Sequence, residues 1–364
     1  MKEAILTILS LLLLAMQLFL PTNARSAAQD EWATLIAKAK QEGKLVMIGP
    51  SGPDRRDSLT LPFQQKYGIS VEYLPDPSTT IATRVSTERQ AGKYLRDVVI
   101  AGALEDILLP LNVLEPLEQY LILPEVTNLK NWRGGALEFL DSGRTILIMT
   151  LFQRGTIFVN TQLADPLTFK SYKDLLDPKW TGKIATDDPR KSGPGQATFE
   201  VLYFHPALGA KFIRALANQK LTIFKDYSQE VDSLGRGKFP LALGLSDSLV
   251  EQRAAQGVPI AIVDPRQLRE GSDVNPGVGG LGVFNRAPHP NAAKLYVNWL
   301  LSKEGQTSFA RGAGYISSRI DVPTDHAAPW RVPQPGATIK TYGLQARREL
   351  HAKLMPLLYE VFGH

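Results

Sequence analysis

From residue 30 onward, short apolar runs alternate with amphipathic stretches in the rhythm of an α/β protein. Trp32, Leu35, Ile36 and Ala39 recur at helical spacing and stop at Gly43, which predicts a first helix. The run 44–48 predicts a strand, the loop GPSGPDRRD follows, and a helix extends to Tyr67 with Gly68 as its C-terminal residue. A strand at 69–74, the loop PDPSTT, a helix over about 81–91 and a strand at 97–101 complete a β-α-β-α-β unit. Right-handed crossovers make such a sheet parallel and gather the loops after its strands, 49–56, 75–80 and 102–105, on one edge. In open α/β sheets ligands sit at that carboxyl edge.

The alternation resumes after an irregular stretch, 106–142, punctuated by Pro110, Pro116 and Pro124. Two β-rich runs, 145–150 and 156–160, lead to strands at 183–186, 221–224, 239–243 and 259–263, with helices near 197–217, 228–235 and 247–256. Within 275–285 the run PGVGGLGVF sets four glycines among apolar residues, which reads as strand backbone that packs closely or bends. Asn291 reads as the N-cap of a helix with Ala292, Leu295, Tyr296, Trp299 and Leu300 as its buried stripe. A last helix, over about 342–362, carries Leu350, Leu354, Leu357, Leu358 and Val361 on one face, a stripe suited to packing against the rest of the protein.

The first 28 residues have a different character. Lys2 is a thin positive start, the stretch from Ala4 to Leu20 is apolar, and small residues follow, with Ala24 or Ala28 as the cleavage point of a signal peptide. The apolar run falls short of the ~20 residues a spanning helix needs. The remainder, at 44% hydrophobic and 21% charged overall, has the composition of a soluble globular chain long enough for two lobes. A formal charge of +5 without any Lys/Arg block argues against a nucleic-acid or membrane surface as partner. The chain has no cysteine, which excludes disulfides, thiolate metal sites, a thiol nucleophile and the lipid-attachment residue of a lipoprotein.

Motifs for catalysis are missing. The five histidines show no metal-ligand spacing, there is no G-x-S-x-G elbow, and GVGGLG at 277–282 lacks a following helix. Asp187 and Asp188, at a strand end, read either as caps for their own loop or as a carboxylate pair for acid–base or metal work. The loop behind them carries Ser192, Gly193 and Gly195 before the apolar helix run. A helix start without bulky side chains leaves its first N–H groups free to face a ligand.

Several stretches carry a family resemblance: DPKWTGKI before the Ser/Gly-rich turn, A-x-x-E-G-K-L-V at 39–46, F-x-x-x-Y-G-I-x-V at 63–71, and a helix–KEGQ–helix pattern after residue 290. Across nearly all of residues 30–320 the chain resembles the periplasmic solute-binding proteins of ABC importers, in the iron(III), thiamine, polyamine and phosphonate class (extracellular solute-binding protein family 1). The resemblance implies a type II two-lobe α/β fold, each lobe a mostly parallel sheet flanked by helices, with the ligand cleft between lobes. Lobe I would comprise 29–150 and 276–340, lobe II 151–275, and 341–364 a C-terminal helix packed on a lobe, with crossings near 150–156 and 275–285. It also implies a monomer in the periplasm that captures a small solute and delivers it to an inner-membrane permease, with no cofactor and no catalysis. A sensory partner of a membrane signalling receptor and a periplasmic hydrolase or metal enzyme are the alternatives.

On the loops that should converge at the cleft stand Ser51 and Arg55; Thr79, Thr80 and Arg84; Arg154; and Arg190, Ser192, Gly193 and Gln196. Four Arg forks on converging loops suit a phosphate or carboxylate. The expected ligand is therefore a small anion held between Arg84 or Arg154 and the helix start at 192–196. A cationic ligand such as a polyamine would use Tyr227, Asp187 and Asp247 instead. Ferric members of the family hold iron through adjacent tyrosines just after the strand that here is 239–243; in this chain Ser246 and Asp247 stand there, and no Tyr-Tyr pair occurs in the sequence. Adding ferric citrate should accordingly give no visible phenolate-to-iron charge-transfer band, and a coloured complex would overturn that expectation.

Overall fold

The computed structural model describes residues 22–76, 78–191, 193–271, 274–334 and 344–363. Most of the expected signal segment lies outside them, and among the described residues no helix is long and apolar enough to cross a membrane. In chain order the strands are β1 (Lys44–Gly49), β2 (Ser70–Pro75), β3 (Val98–Ala101), β4 (Leu114–Glu115), β5 (Leu147–Ile148), β6 (Thr150–Gln153) and β7 (Ile157–Asn160). They continue with β8 (Ile184–Asp187), β9 (Thr222–Phe224), β10 (Leu241–Leu243), β11 (Ile260–Ile262), β12 (Val274–Asn275), β13 (Gly280–Phe284) and β14 (Ile316–Ser317). The longer helices are α1 (Thr22–Glu42), α2 (Pro53–Tyr67), α3 (Ser78–Gln90), α4 (Pro194–Phe204) and α5 (Gly209–Ala217). The rest are α6 (Tyr227–Gly235), α7 (Asp247–Ala255), α8 (Pro290–Leu301), α9 (Lys303–Ala313) and α10 (Leu344–Phe362).

Lobe I is a sheet in the order β2-β1-β3-β13-β4, with β5 also on β13. Its strands β1, β2 and β3 are parallel, as the β-α-β-α-β pattern requires, whereas β13 runs antiparallel to β3, β4 and β5. Lobe II is a sheet in the order β11-β7-β10-β8-β9; β10, β8 and β9 are parallel and β7 is antiparallel to both its neighbours. The parallel part of each sheet comes from local crossovers. The antiparallel strands are those by which the chain enters or leaves a lobe, so both sheets are mixed.

Several boundaries differ from the sequence pattern. The expected helix 197–217 is two helices, because Pro206 has no N–H and its ring excludes a continuous helix. The run 145–150 divides at Met149, β5 staying in lobe I and β6 beginning the crossing. The return crossing is shorter than 275–285, since residues 280–284 form the central strand β13. Asn291 is not the N-cap of α8. Pro290 starts that helix and His289 holds the cap position, while the Glu42 carboxylate at the end of α1 accepts from Asn291 N (3.2 Å) and Ala292 N (2.7 Å).

The core of lobe I is built on α8, in which Leu295, Tyr296, Trp299 and Leu300 are all buried. The Phe63 ring of α2 lies 5.0 Å from Tyr296 and 5.4 Å from Trp299. One polar residue sits inside this stripe. Asn298 is fully buried; its carbonyl accepts from Ile122 N (3.0 Å) and Leu123 N (2.8 Å), and its amide donates to Tyr120 O (2.7 Å). It thereby supplies hydrogen bonds to a segment that has no strand partner. Asn298→Ala leaves two backbone donors without an acceptor, and unsatisfied buried groups cost ~1–3 kcal/mol each. Urea denaturation should show a loss of roughly 2–4 kcal/mol; an unchanged midpoint would mean that water replaces the amide.

Candidate functional site

The corner between β8 and α4 is closely packed. Asp187 ends β8, and its Oδ2 accepts the N–H of Gly195 at 3.0 Å. A side chain at Gly195 has no space, because the Asp187 backbone lies on one side and Gly244, at φ +73°, approaches it backbone to backbone. The helix start is therefore capped from within by a carboxylate. This corrects the expectation that its N–H groups are free for a ligand: the first available donor already has an acceptor, and that acceptor is an acid. Asp188 serves its own loop, accepting from Arg190 N (3.1 Å) and Arg190 Nε (2.8 Å).

Burial raises three acids of this lobe. The Asp187 carboxyl is pushed up by burial, against the pull of the Gly195 and Asp188 N–H groups. Glu230, in the first turns of α6, is fully buried, and neither carboxyl oxygen has a hydrogen-bond partner. Burial, reinforced by the charge of Asp187, moves its pKa up to about 9. Asp247 is also buried and raised to about 6, with Arg154, Arg331 and the Gly155 N–H drawing it back down. Its Oδ1 accepts from Gly155 N at 3.1 Å, so this carboxylate holds the turn of the first crossing. Ser246 is the N-cap residue of α7.

The other sequence-predicted residues do not converge on one site. In lobe I, Ser51 is exposed after β1; Arg55 Nη1 donates to Ser51 O at 3.4 Å, and its guanidinium lies 5.9 Å from the Tyr315 ring. Asp76, buried after β2, takes both Arg84 Nε (2.6 Å) and the Thr80 hydroxyl. Thr79 stands in the first turn of α3, and Ser192 lies outside the described residues. In lobe II, Arg190 Nη1 donates to Phe362 O (3.0 Å) and Gly363 O (2.7 Å), and Gln196 Nε2 to Met355 Sδ (3.6 Å). Gly193 is the N-cap residue of α4. Arg84 and Arg190 are thus committed to protein acceptors, not held apart for a ligand as expected.

A cavity of about 580 Å³ opens between the lobes. Lobe I contributes Ala101–Ala103 and Glu105 at the end of β3, and the return crossing contributes Asn275–Gly277. The first crossing adds Arg154, and α4 turns Ala197, Glu200, Val201 and Phe204 toward it. Of the candidate ligand residues named from the sequence, Arg154 alone among those described lines this space. The loop 102–105 and the return crossing also reach it, as expected, through Glu105 and Asn275, whereas Glu200 and His351 were missed. The spacing 197, 200, 201, 204 is one helix face and was legible in principle, but nothing in the sequence marks that face as turned to a cleft instead of a core.

Comparison with known proteins agrees with this architecture. The family described as bacterial extracellular solute-binding protein matches residues 58–334. An uncharacterized protein of Haemophilus influenzae is 25% identical over 278 residues, 74% of this chain and 75% of the relative. The iron- and citrate-bound IdiA (FutA) of Trichodesmium aligns with a TM-score of 0.65 at 18% identity, over 88% of this chain and all of the other. AfuA of Actinobacillus pleuropneumoniae, a periplasmic binding protein with fructose-6-phosphate bound, aligns at 0.56 and 18% identity, over 87% and 98% of the two chains. At such identities the two structures establish the fold alone.

Glu230 gives this site a measurable signature. A carboxyl whose folded pKa lies near 9 keeps its proton while the unfolded chain loses its own above the ordinary value of 4.5. The associated stability is fully present below pH 4.5 and is lost as pH rises toward about 9. At ~1.4 kcal/mol per pH unit the loss by neutrality is roughly 3 kcal/mol. Glu230→Gln should therefore be more stable than the wild type at pH 8 and no more stable at pH 4, by chemical denaturation at both. Equal differences at the two pH values would show that Glu230 does not hold its proton.

Proposed function

The chain belongs to the bacterial extracellular solute-binding proteins, and on that premise we propose that it is the periplasmic capture subunit of an ABC importer for a small organic solute with an anionic group. Its role is to bind a substrate, not to transform one, and it acts as a cleaved, secreted monomer that hands its ligand to a permease pair in the inner membrane. The observation that carries the reading is Arg154, which borders the inter-lobe cavity where the chain crosses between the two cores. A guanidinium there can grip a phosphate or carboxylate through its planar fork. Ser51 and Arg55 stand on the opposite lobe, where closure would bring them to the same ligand.

The cavity volume favours a molecule of several heavy atoms over a bare ion. AfuA, with a sugar phosphate bound, is a precedent for such a ligand in this fold. The iron and citrate of the Trichodesmium protein are the competing precedent. Here Asp247 is buried with its carboxylate on the Gly155 N–H, and Ser246 beside it offers a hydroxyl where a tyrosine would offer a phenolate, so the pair is a poor substitute for two tyrosines. Ligand drives closure only through contacts that the open form lacks, which requires groups from both lobes.

Arg154→Ala is the test. Hydrogen bonds to charged groups contribute about 1.5–3 kcal/mol, equivalent to roughly ten- to hundredfold in affinity. Calorimetric titration with fructose 6-phosphate and citrate should show that loss in the variant for whichever anion binds the wild type. If polyamines or thiamine bind the wild type while anions do not, the assignment is wrong.

A further inference from the structure

The family match ends at residue 334, and α10 lies beyond it. This helix is fixed to lobe II. Leu354 and Leu358 are fully buried with Leu357 in the cluster formed by Phe199, Leu202, Phe212 and Ile213. The Phe362 and Phe199 rings meet edge to face at 5.4 Å, and Arg214 pairs with Glu360. Arg190 closes the far end by donating to its last carbonyls. A helix so anchored moves with α4 when the lobes move.

Its other face is the informative one. His351 and Ala352, a turn before the buried leucines, line the inter-lobe cavity beside Glu200 and Val201 of α4. A tail helix that only covered the core would turn this face to open solvent. Here it completes one wall of the space that Arg154 borders. The His351 Nδ1 and Glu200 Oε1 atoms are 4.0 Å apart, and both side chains are about half exposed, at 50% and 40%. That separation is too long for a direct hydrogen bond but suits one oxygen lying between them.

We propose that His351 and Glu200 form a second pole of the solute site. A hydroxyl of the solute donates to the Glu200 carboxylate and accepts from the imidazole N–H, while Arg154 holds the anionic group. The ligand class is then a phosphorylated or carboxylated polyol, and α10 determines specificity as well as packing. This assignment rests on the anionic reading of the cavity.

The experiment titrates the full secreted protein with fructose 6-phosphate and with inorganic phosphate, comparing wild type, His351→Ala, His351→Asn and Ala352→Trp. Both positions are exposed, so melting temperatures should be unchanged and the variants remain folded. His351→Ala should weaken fructose 6-phosphate up to about tenfold and leave inorganic phosphate unaltered, the loss of one hydrogen bond. His351→Asn, which keeps a donor, should recover part of that loss, and Ala352→Trp should exclude the sugar phosphate from the narrowed cavity. If fructose 6-phosphate binds the wild type and all three variants alike, the role given to α10 is wrong and the Arg154 reading stands. If neither probe binds the wild type, the anionic reading fails and the second pole fails with it.

Discussion

The short sheet that joins the lobes, β6 flanked by β12 and β14, determines where everything else lies. Chain segments that pass between separate cores would leave backbone N–H and C=O groups unpaired in the gap. Three segments pair here instead, with β6 in the middle: Val274 and Asn275 lie against Gln153 and Phe152, and Ile316 and Ser317 against Leu151 and Thr150. Leu151, Val274 and Ile316 give the joint a small apolar core of its own. Gly277, at φ +59°, packs under the Tyr315 ring, where a Cβ has no room. The joint is thin, close-packed and shared by both lobes. Arg331 adds a tie across it, its guanidinium 5.2 Å from the Phe152 ring and its nitrogens on the Glu251 carboxylate of α7.

Because the cleft borders that joint, its electrostatics are set by residues that also serve the fold. Asp187 caps α4, Asp247 holds the turn at Gly155, and Asp76 gathers Arg84 and Thr80. Each buried acid finds donors locally, and each cation it engages is one fewer group turned to a ligand. Among the described residues Glu230 differs, a buried carboxyl with neither oxygen hydrogen-bonded, and burial pushes its pKa up to about 9, which favours the neutral form. An ionised Glu230 beside Asp187 would place two like charges behind the helix that forms the cleft wall. The neutral form removes that repulsion at the expense of stability at neutral and higher pH.

The same economy explains the location of the cavity. The α4 start, with its close Gly195–Gly244 contact and its carboxylate cap, is a packed corner. The open space lies along the flank of α4, where Ala197, Glu200, Val201 and Phe204 face lobe I and α10 stands beside them. Arg154 at the joint and the Glu200 and His351 side chains on lobe II border this space, and the two-pole site proposed above is built on that division of polar groups.

The order of elements was legible in the sequence, because apolar periodicity records which faces are buried. The strands after Gly43 and Gly68, the stripe of α8 and the helical repeat of α10 follow from local spacing, whereas the single helix expected over 197–217 ignored the proline at 206 that divides it. The family could be identified from KWTGKI and KEGQ for a related reason, since turn chemistry and close packing restrict residue type at fixed offsets. Which polar side chain meets which partner was decided by tertiary structure alone. Arg84, Arg154 and Arg190 look alike in the sequence; that Arg84 meets Asp76 and Arg190 the α10 carbonyls, 8 and more than 170 residues away along the chain, while Arg154 lines the cavity, follows from the tertiary structure. Likewise, the stripe of α10 reveals that it packs, while the opposite face acquires meaning only from α4 beside it and lobe I across the gap. Hydrogen bonds and charge pairs depend on distances of a few ångströms between remote segments, and apolar periodicity does not encode those distances.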